Sequence, residues 1–234
     1  MGYSDVGCYG SEIETPNLDS LAEDGLRFTN FRVTPMCVVS RVSILSGMEY
    51  SAAGKGDLPH GLSFAFLLRD AGYHTSLSGK VHGWDFTMSD AEDCYGFDRF
   101  FGHESGATDC FKGGNDWYLD DSSYSNFYPQ NPDFYSTDAI VDHAIDFIDE
   151  AIQQSKPFFT WVSFNAPHSP IQAPEANVQK YLDSGIYRRG WGQLRAERFE
   201  RQKQLGIAGE DWILPRVGVE VPDWDKLPAS GADS

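Results

Sequence analysis

The most regular apolar spacing in the chain follows Ser136, where Ile140, Ala144, Phe147 and Ala151 recur at three- and four-residue intervals, with Val141, Ile145, Ile148 and Ile152 beside them. That period predicts an amphipathic helix of about four turns. Phe158 to Phe164 is instead a short, continuous apolar and β-prone run, the pattern of a strand buried on both faces, and it empties into Asn165, Pro167 and His168. Near the start, Thr15, Pro16 and Asn17 read as the cap and first turn of a short helix, with Leu18, Leu21 and Ala22 on one face and Gly25 closing it. Leu26 to Val33 predicts a strand, a loop with Pro35 and Cys37 follows, and a second helix is expected from about Ser40 to Ser46 with Gly47 as its stop. Leu62 to Ala71 predicts a third helix, then a strand from Tyr73 to Leu77 and a loop bearing Gly79, Lys80 and His82. Residues 84–135 mix Gly, Asp, Asn and aromatic side chains without a period and read as a long surface excursion. A surface helix is predicted from Tyr187 to Gln204, ahead of an irregular tail. Helices alternating with strands imply an α/β fold with a mostly parallel sheet flanked by helices.

Composition narrows the function classes. Of 234 residues, 41% are hydrophobic and 14% aromatic, enough apolar matter for a sizeable core, and no linker or repeat divides the chain, so it reads as a single domain. No run approaches the roughly 20 apolar residues of a membrane helix, and the start lacks the basic and apolar runs of a secretion signal. A formal net charge of −17 repels nucleic acid and anionic membranes. The basic stretch from Arg188 through Arg189, Arg195, Arg198 and Arg201 to Lys203 is interrupted by Glu197 and Glu200, so no nucleic acid or membrane partner is expected. Cys8, Cys37, Cys94 and Cys110 are scattered and form no CxxC pair, which leaves the redox compartment open.

Three predicted strands empty into loops with reactive side chains: Cys37 and Arg41, then Lys80 and His82, then Asn165 and His168. In an open α/β sheet the ends of parallel strands share one edge, where ligands bind. Two cations, two imidazoles, a thiol and a helix N-terminus at such an edge suit a small oxyanion, and so sulfuryl or phosphoryl transfer. The remaining histidines, His60, His74, His103 and His143, are expected to pack or to sit at the surface.

The runs GYSDVGCYG, TPNLDSLAEDGLRFTNF and PMCVVSRVSILSG resemble the opening of a sulfatase, whose signature is CxPSR or CxASR. GKVHGW at 79–84 resembles the second signature, GKWHLG, and FGHESGATD, FYSTDAIVDHAIDFIDEA and PFFTWVSFNAPHSPIQAPE are similar to the middle segments in the same order. GWGQLRAERFERQKQLGI and VPDWDKLPA resemble a region of bacterial arylsulfatases, so the likeness covers nearly the whole chain.

The resemblance implies the alkaline phosphatase-like fold and a sulfuric ester hydrolase of arylsulfatase type, acting on a small-molecule or glycan sulfate ester. It implies that a formylglycine-generating or sulfatase-maturating enzyme oxidises Cys37 to formylglycine, which also becomes a metal ligand. Arg41 would hold that group, Lys80 would bind sulfate oxygens, His82 would be the base, and His168 would bind sulfate or protonate the leaving alcohol. The implied metal is calcium. The family's paired aspartates precede the position of Gly2 and Tyr3, where this chain has only Met1, and its other metal ligands come from a segment beyond Ser234. The chain is therefore expected to be a catalytic domain over 1–234 truncated at both ends. Val39 stands where the signature carries proline or alanine. Two alternatives remain: a phosphatase or phosphonate monoester hydrolase of the same superfamily, and an inactive remnant. The family is often periplasmic or secreted.

Overall fold

A computed structural model of the chain describes residues 1–53, 63–82, 95–123, 131–218 and 221–227. His60, Leu62, Gly83, Trp84 and Cys94 lie outside the described residues. The chain forms two compact units, one of residues 32–174 and one of residues 1–31 with 175–234.

The 32–174 unit holds helices α2 (Cys37–Ser46), α3 (Tyr50–Ala53), α4 (Phe64–Asp70) and α5 (Ser136–Gln153). Its strands are β1 (His74–Lys80), β2 (Arg99–His103), β3 (Trp117–Leu119), β4 (Ser122–Ser123) and β5 (Phe158–Ser163). They form one sheet in the order β4-β3-β2-β1-β5, in which β1 runs parallel to both β2 and β5 while β3 and β4 are antiparallel. The central three strands therefore end along one edge.

Adjacent residues of a strand face opposite sides of a sheet, and the Phe100–Phe101 pair uses this to seed two cores. Phe100 joins Leu45, Ala65, Leu77, Val81 and Phe97, which include residues of α2 and α4. Phe101 joins Trp117, Phe134, Ile140 and Phe147, two of which come from α5. The stripe of Ile140, Ala144, Phe147 and Ala151 is buried as its spacing predicts, while Ile145 and Ile152 are exposed.

Several expectations are corrected. The strand expected over Tyr73–Leu77 starts at His74, runs on to Lys80 and is buried throughout. Its polar side chains are accommodated by hydrogen bonds, Ser76 Oγ to Thr160 Oγ1 at 2.9 Å and Ser78 Oγ to the Ile140 carbonyl at 2.6 Å. Lys80 is thus a strand residue, not a loop residue. Within the stretch read as a surface excursion lie β2, β3, β4 and core residues that include Phe100, Phe101 and Trp117. β5 is not buried on both faces: it pairs only with β1 among the described residues, and Phe158 is 45% exposed. The second helix begins at Cys37, a turn earlier than expected. Leu26 to Val33 forms no strand. Leu26, Phe28, Phe31 and Val33 are all exposed and no described strand pairs with that segment, so its β-prone pattern finds no ladder.

In the other unit, α1 (Pro16–Asp24), α6 (Glu175–Ser184) and α7 (Gly190–Gln204) join short 3-10 turns at Tyr3–Asp5, Gly7–Tyr9, Ile186–Arg189 and Trp224–Lys226. Arg198 on α7 ties the unit's ends together, donating to Glu12 Oε1 at 2.6 Å and to Asp5 Oδ1 at 2.9 Å. No described helix is long and apolar enough to cross a membrane.

Candidate active site

Met36 is extended and caps α2, so Cys37 occupies the first helical position, where free backbone N–H groups leave a partial positive charge. One turn on, the same helix presents Arg41. Its Nη1 donates to the Lys80 carbonyl at 2.7 Å and to Ser163 Oγ, and Ser163 Oγ in turn donates to the Lys80 carbonyl at 2.8 Å. Those contacts lock α2 to the ends of β1 and β5.

β1 delivers Lys80 and, two residues later, His82. The Lys80 side chain, 2% exposed, donates from its ammonium to the Gly106 carbonyl and interacts electrostatically with Cys37. Burial holds its pKa below the usual value, opposed by Cys37 and assisted by Arg41. His82 Nδ1 lies 3.0 Å from Cys37 Sγ. Its pKa is pushed down to about 4, first by burial and then by the charges of Lys80, Arg41 and His168. The imidazole is therefore neutral near pH 7 and keeps a free lone pair.

The structure brings Cys37, Arg41, Lys80 and His82 into one contact network and leaves His168 at its margin. His168 is exposed on the loop after β5, its backbone N–H bonding the Asn165 carbonyl at 2.9 Å and its Nδ1 2.7 Å from the Ser169 carbonyl. It reaches His82 electrostatically. Asn165 is buried, and neither polar atom of its side-chain amide has a partner among the described residues.

Two site residues escape a search for reactive side chains. Ser163 works through a hydroxyl at a strand end, and Gly106 works through its carbonyl and through the side chain it lacks, since a Cβ there would stand 2.8 Å from the His82 ring. Ser163 follows from strand alternation only once the partner of Arg41 is known. Gly106 lies in FGHESGATD, the one signal that marked its neighbourhood. Of the other histidines, His143 stacks on Phe101 at 3.8 Å and His103 is buried against Trp117 at 4.9 Å between ring centroids. Cys8 and Cys110 are free thiols, with Cys110 buried.

Calcium takes six to eight oxygen ligands. Around Cys37 the chain supplies two cations, an imidazole and a serine hydroxyl, and no three His, Cys, Asp or Glu side chains gather elsewhere among the described residues. These residues do not fit a calcium site by themselves.

The ends of parallel strands thus bring together a thiol, a neutral imidazole, an arginine and a buried lysine, an arrangement suited to an oxyanion. The chain belongs to the sulfatase family, whose model matches residues 1–191. It is 29% identical to an arylsulfatase of Klebsiella aerogenes over 97% of this chain and 53% of that protein. Among solved structures, it is similar to a protein crystallised with its substrate D-glucosamine-2-N,6-O-disulfate, with 26% identity, a TM-score of 0.63, and coverage of 77% of this chain and 35% of that one. Ps i-CgsB in complex with k-i-k-neocarrahexaose shares the fold at TM-score 0.68 and 24% identity, covering 88% of this chain and 51% of that one. The chain spans about half the length of the curated relatives it matches.

Proposed function

We propose that this chain carries the nucleophile-bearing part of a sulfuric ester hydrolase, with Cys37 as the precursor of a formylglycine. The observation that carries the reading is the approach of His82 Nδ1 to within 3.0 Å of Cys37 Sγ, with the charges of Lys80 and Arg41 acting on the same side chain. Oxidised to formylglycine, residue 37 would supply a hydrated aldehyde whose hydroxyl attacks the sulfur of a sulfate ester.

The other residues take roles that their geometry suits. His82, neutral because it is half-buried among cations, takes a proton from the group at position 37. Lys80 and Arg41 set positive charge where the sulfuryl oxygens gain negative charge, and the N-terminus of α2 adds to it. Arg41 is held by Ser163 and the Lys80 carbonyl, so its charge is placed before any substrate arrives. His168, exposed on its loop, binds sulfate or gives a proton to the departing alcohol. A sulfated sugar is the favoured substrate class, because one relative was solved with such a molecule as its substrate.

Expression with a formylglycine-generating enzyme, followed by peptide mass spectrometry across Cys37, tests the reading. The expected outcome is the mass loss of thiol-to-aldehyde conversion, and an unconverted Cys37 in the presence of active maturase rejects it. A panel of aryl sulfates and aryl phosphates then separates sulfatase from phosphatase, with sulfate turnover expected to dominate.

A further inference from the structure

The unit made of residues 1–31 and 175–234 carries a half-open cavity of about 840 Å³, all of whose lining residues belong to that unit. The volume falls within the roughly 300–1,000 Å³ typical of small-ligand sites. Buried Leu194 lines it on α7, and the rings of Trp191 and Trp224 meet edge to face at 5.1 Å. That meeting requires Gly190, because a Cβ there would stand 2.5 Å from the Trp224 ring. The cavity is thus built around flat aromatic faces with α7 behind them.

Its charge runs against that of the molecule. Arg198 is neutralised within the wall by Glu12 and Asp5. Arg195 spends one N–H on the Pro215 carbonyl at 2.9 Å and forms no ion pair among the described residues. Arg216 is exposed and likewise unpaired among them. In a chain of net charge −17, two guanidinium groups with no ion pair among the described residues, beside two indoles, make a local trap for anions. Guanidinium forks match planar or tetrahedral oxyanions in a bidentate manner, and indole faces offer an apolar bed to a saturated ring.

We propose that this cavity binds an acidic saccharide, with a sugar ring against Trp191 and Trp224 and its sulfate or carboxylate groups on Arg195 and Arg216. It does so without cleaving a bond: no nucleophile or base of the proposed hydrolase lines the cavity. The inference therefore goes beyond the sulfatase reading and stands without it.

Calorimetric titration of the whole chain with a sulfated galactan hexasaccharide, a uronic acid hexasaccharide and a neutral galactan hexasaccharide tests the assignment. At least one acidic hexasaccharide is expected to bind roughly tenfold or more tightly than the neutral one, the worth of a charge-assisted hydrogen-bonded contact. The tighter of the two acidic sugars identifies the oxyanion. Arg216→Glu is expected to lose that advantage, and Trp191→Ala is expected to weaken binding by a similar factor. Arg216 is exposed and unpaired among the described residues, so its variant should keep the native circular dichroism and remains decisive even if Trp191→Ala fails to fold. Equal affinity for the neutral sugar, undiminished binding by Arg216→Glu, or no binding of either acidic hexasaccharide to the native chain overturns the proposal.

Discussion

A buried imidazole beside two cations is a poor proton acceptor overall but stays in the form that can act as a base. His103 meets that condition fully and His82, half-buried, in part, with pKa values pushed down to about 4 from the usual 6.5. For His82 this matches the role proposed next to Cys37. For His103 it has a consequence for stability. Burial is the largest cause, Asp116 opposes it, and Lys80 and Arg41 reinforce it. Between about pH 6.5 and 4 the unfolded chain holds a proton on this residue that the folded chain lacks, so unfolding takes up protons and stability falls as the pH is lowered. The full loss corresponds to about 3 kcal/mol, complete only below the folded value. Chemical denaturation from pH 7 to pH 4.5 should show this decline, and His103→Phe should flatten it. An unchanged slope in the variant would assign the decline to other groups.

Among the elements, α5 has the plainest division between a packed face and a free one. Phe147 is 2% exposed, lies in one of the two cores and carries the Arg99 guanidinium 4.7 Å above its ring, whereas Ile145 is 51% exposed on the same helix. Phe147→Ala should therefore cost about 3–5 kcal/mol and Ile145→Ala under about 1 kcal/mol, measured by urea denaturation. Similar losses at both positions would mean that the packed face has been misassigned. This helix was legible in the sequence because one stripe at period 3.6 is buried along its length. β1 was read three residues short because Ser78 and Lys80 break its apolar pattern, and their burial depends on partners contributed by other elements, Ile140 and Gly106. β2 and β3 were missed for a related reason: Phe100 and Phe101 serve opposite cores, and β3 is only three residues long, so neither shows a clear alternation. At the site, Cys37, Arg41, Lys80 and His82 could be found from reactive side chains in motif order. Ser163 and Gly106 could not, since one supports an arginine from behind and the other contributes a carbonyl and empty space.

At the scale of the molecule, charge and metal affinity have to be kept apart. A net charge of −17 attracts calcium everywhere on the surface, yet a hard cation is held tightly only where several oxygens converge on one point. The described residues offer no such point, and the neighbourhood of Cys37 is cationic, so a divalent ion placed there would meet repulsion from Arg41 and Lys80, on neither of which a described carboxylate acts. Salt near 0.15 M screens the diffuse attraction of exposed carboxylates over about 8 Å and leaves a real site nearly untouched. Calorimetric titration of the chain with calcium in that salt should therefore give only weak, non-saturating heat. A ligand that binds the folded state alone raises the unfolding temperature in proportion to its affinity, so the melting temperature should stay the same with and without millimolar calcium. Stoichiometric, saturable binding together with a higher melting temperature would show that the chain assembles a calcium site after all, and the separation drawn here between an oxyanion-binding network and the metal would have to be abandoned.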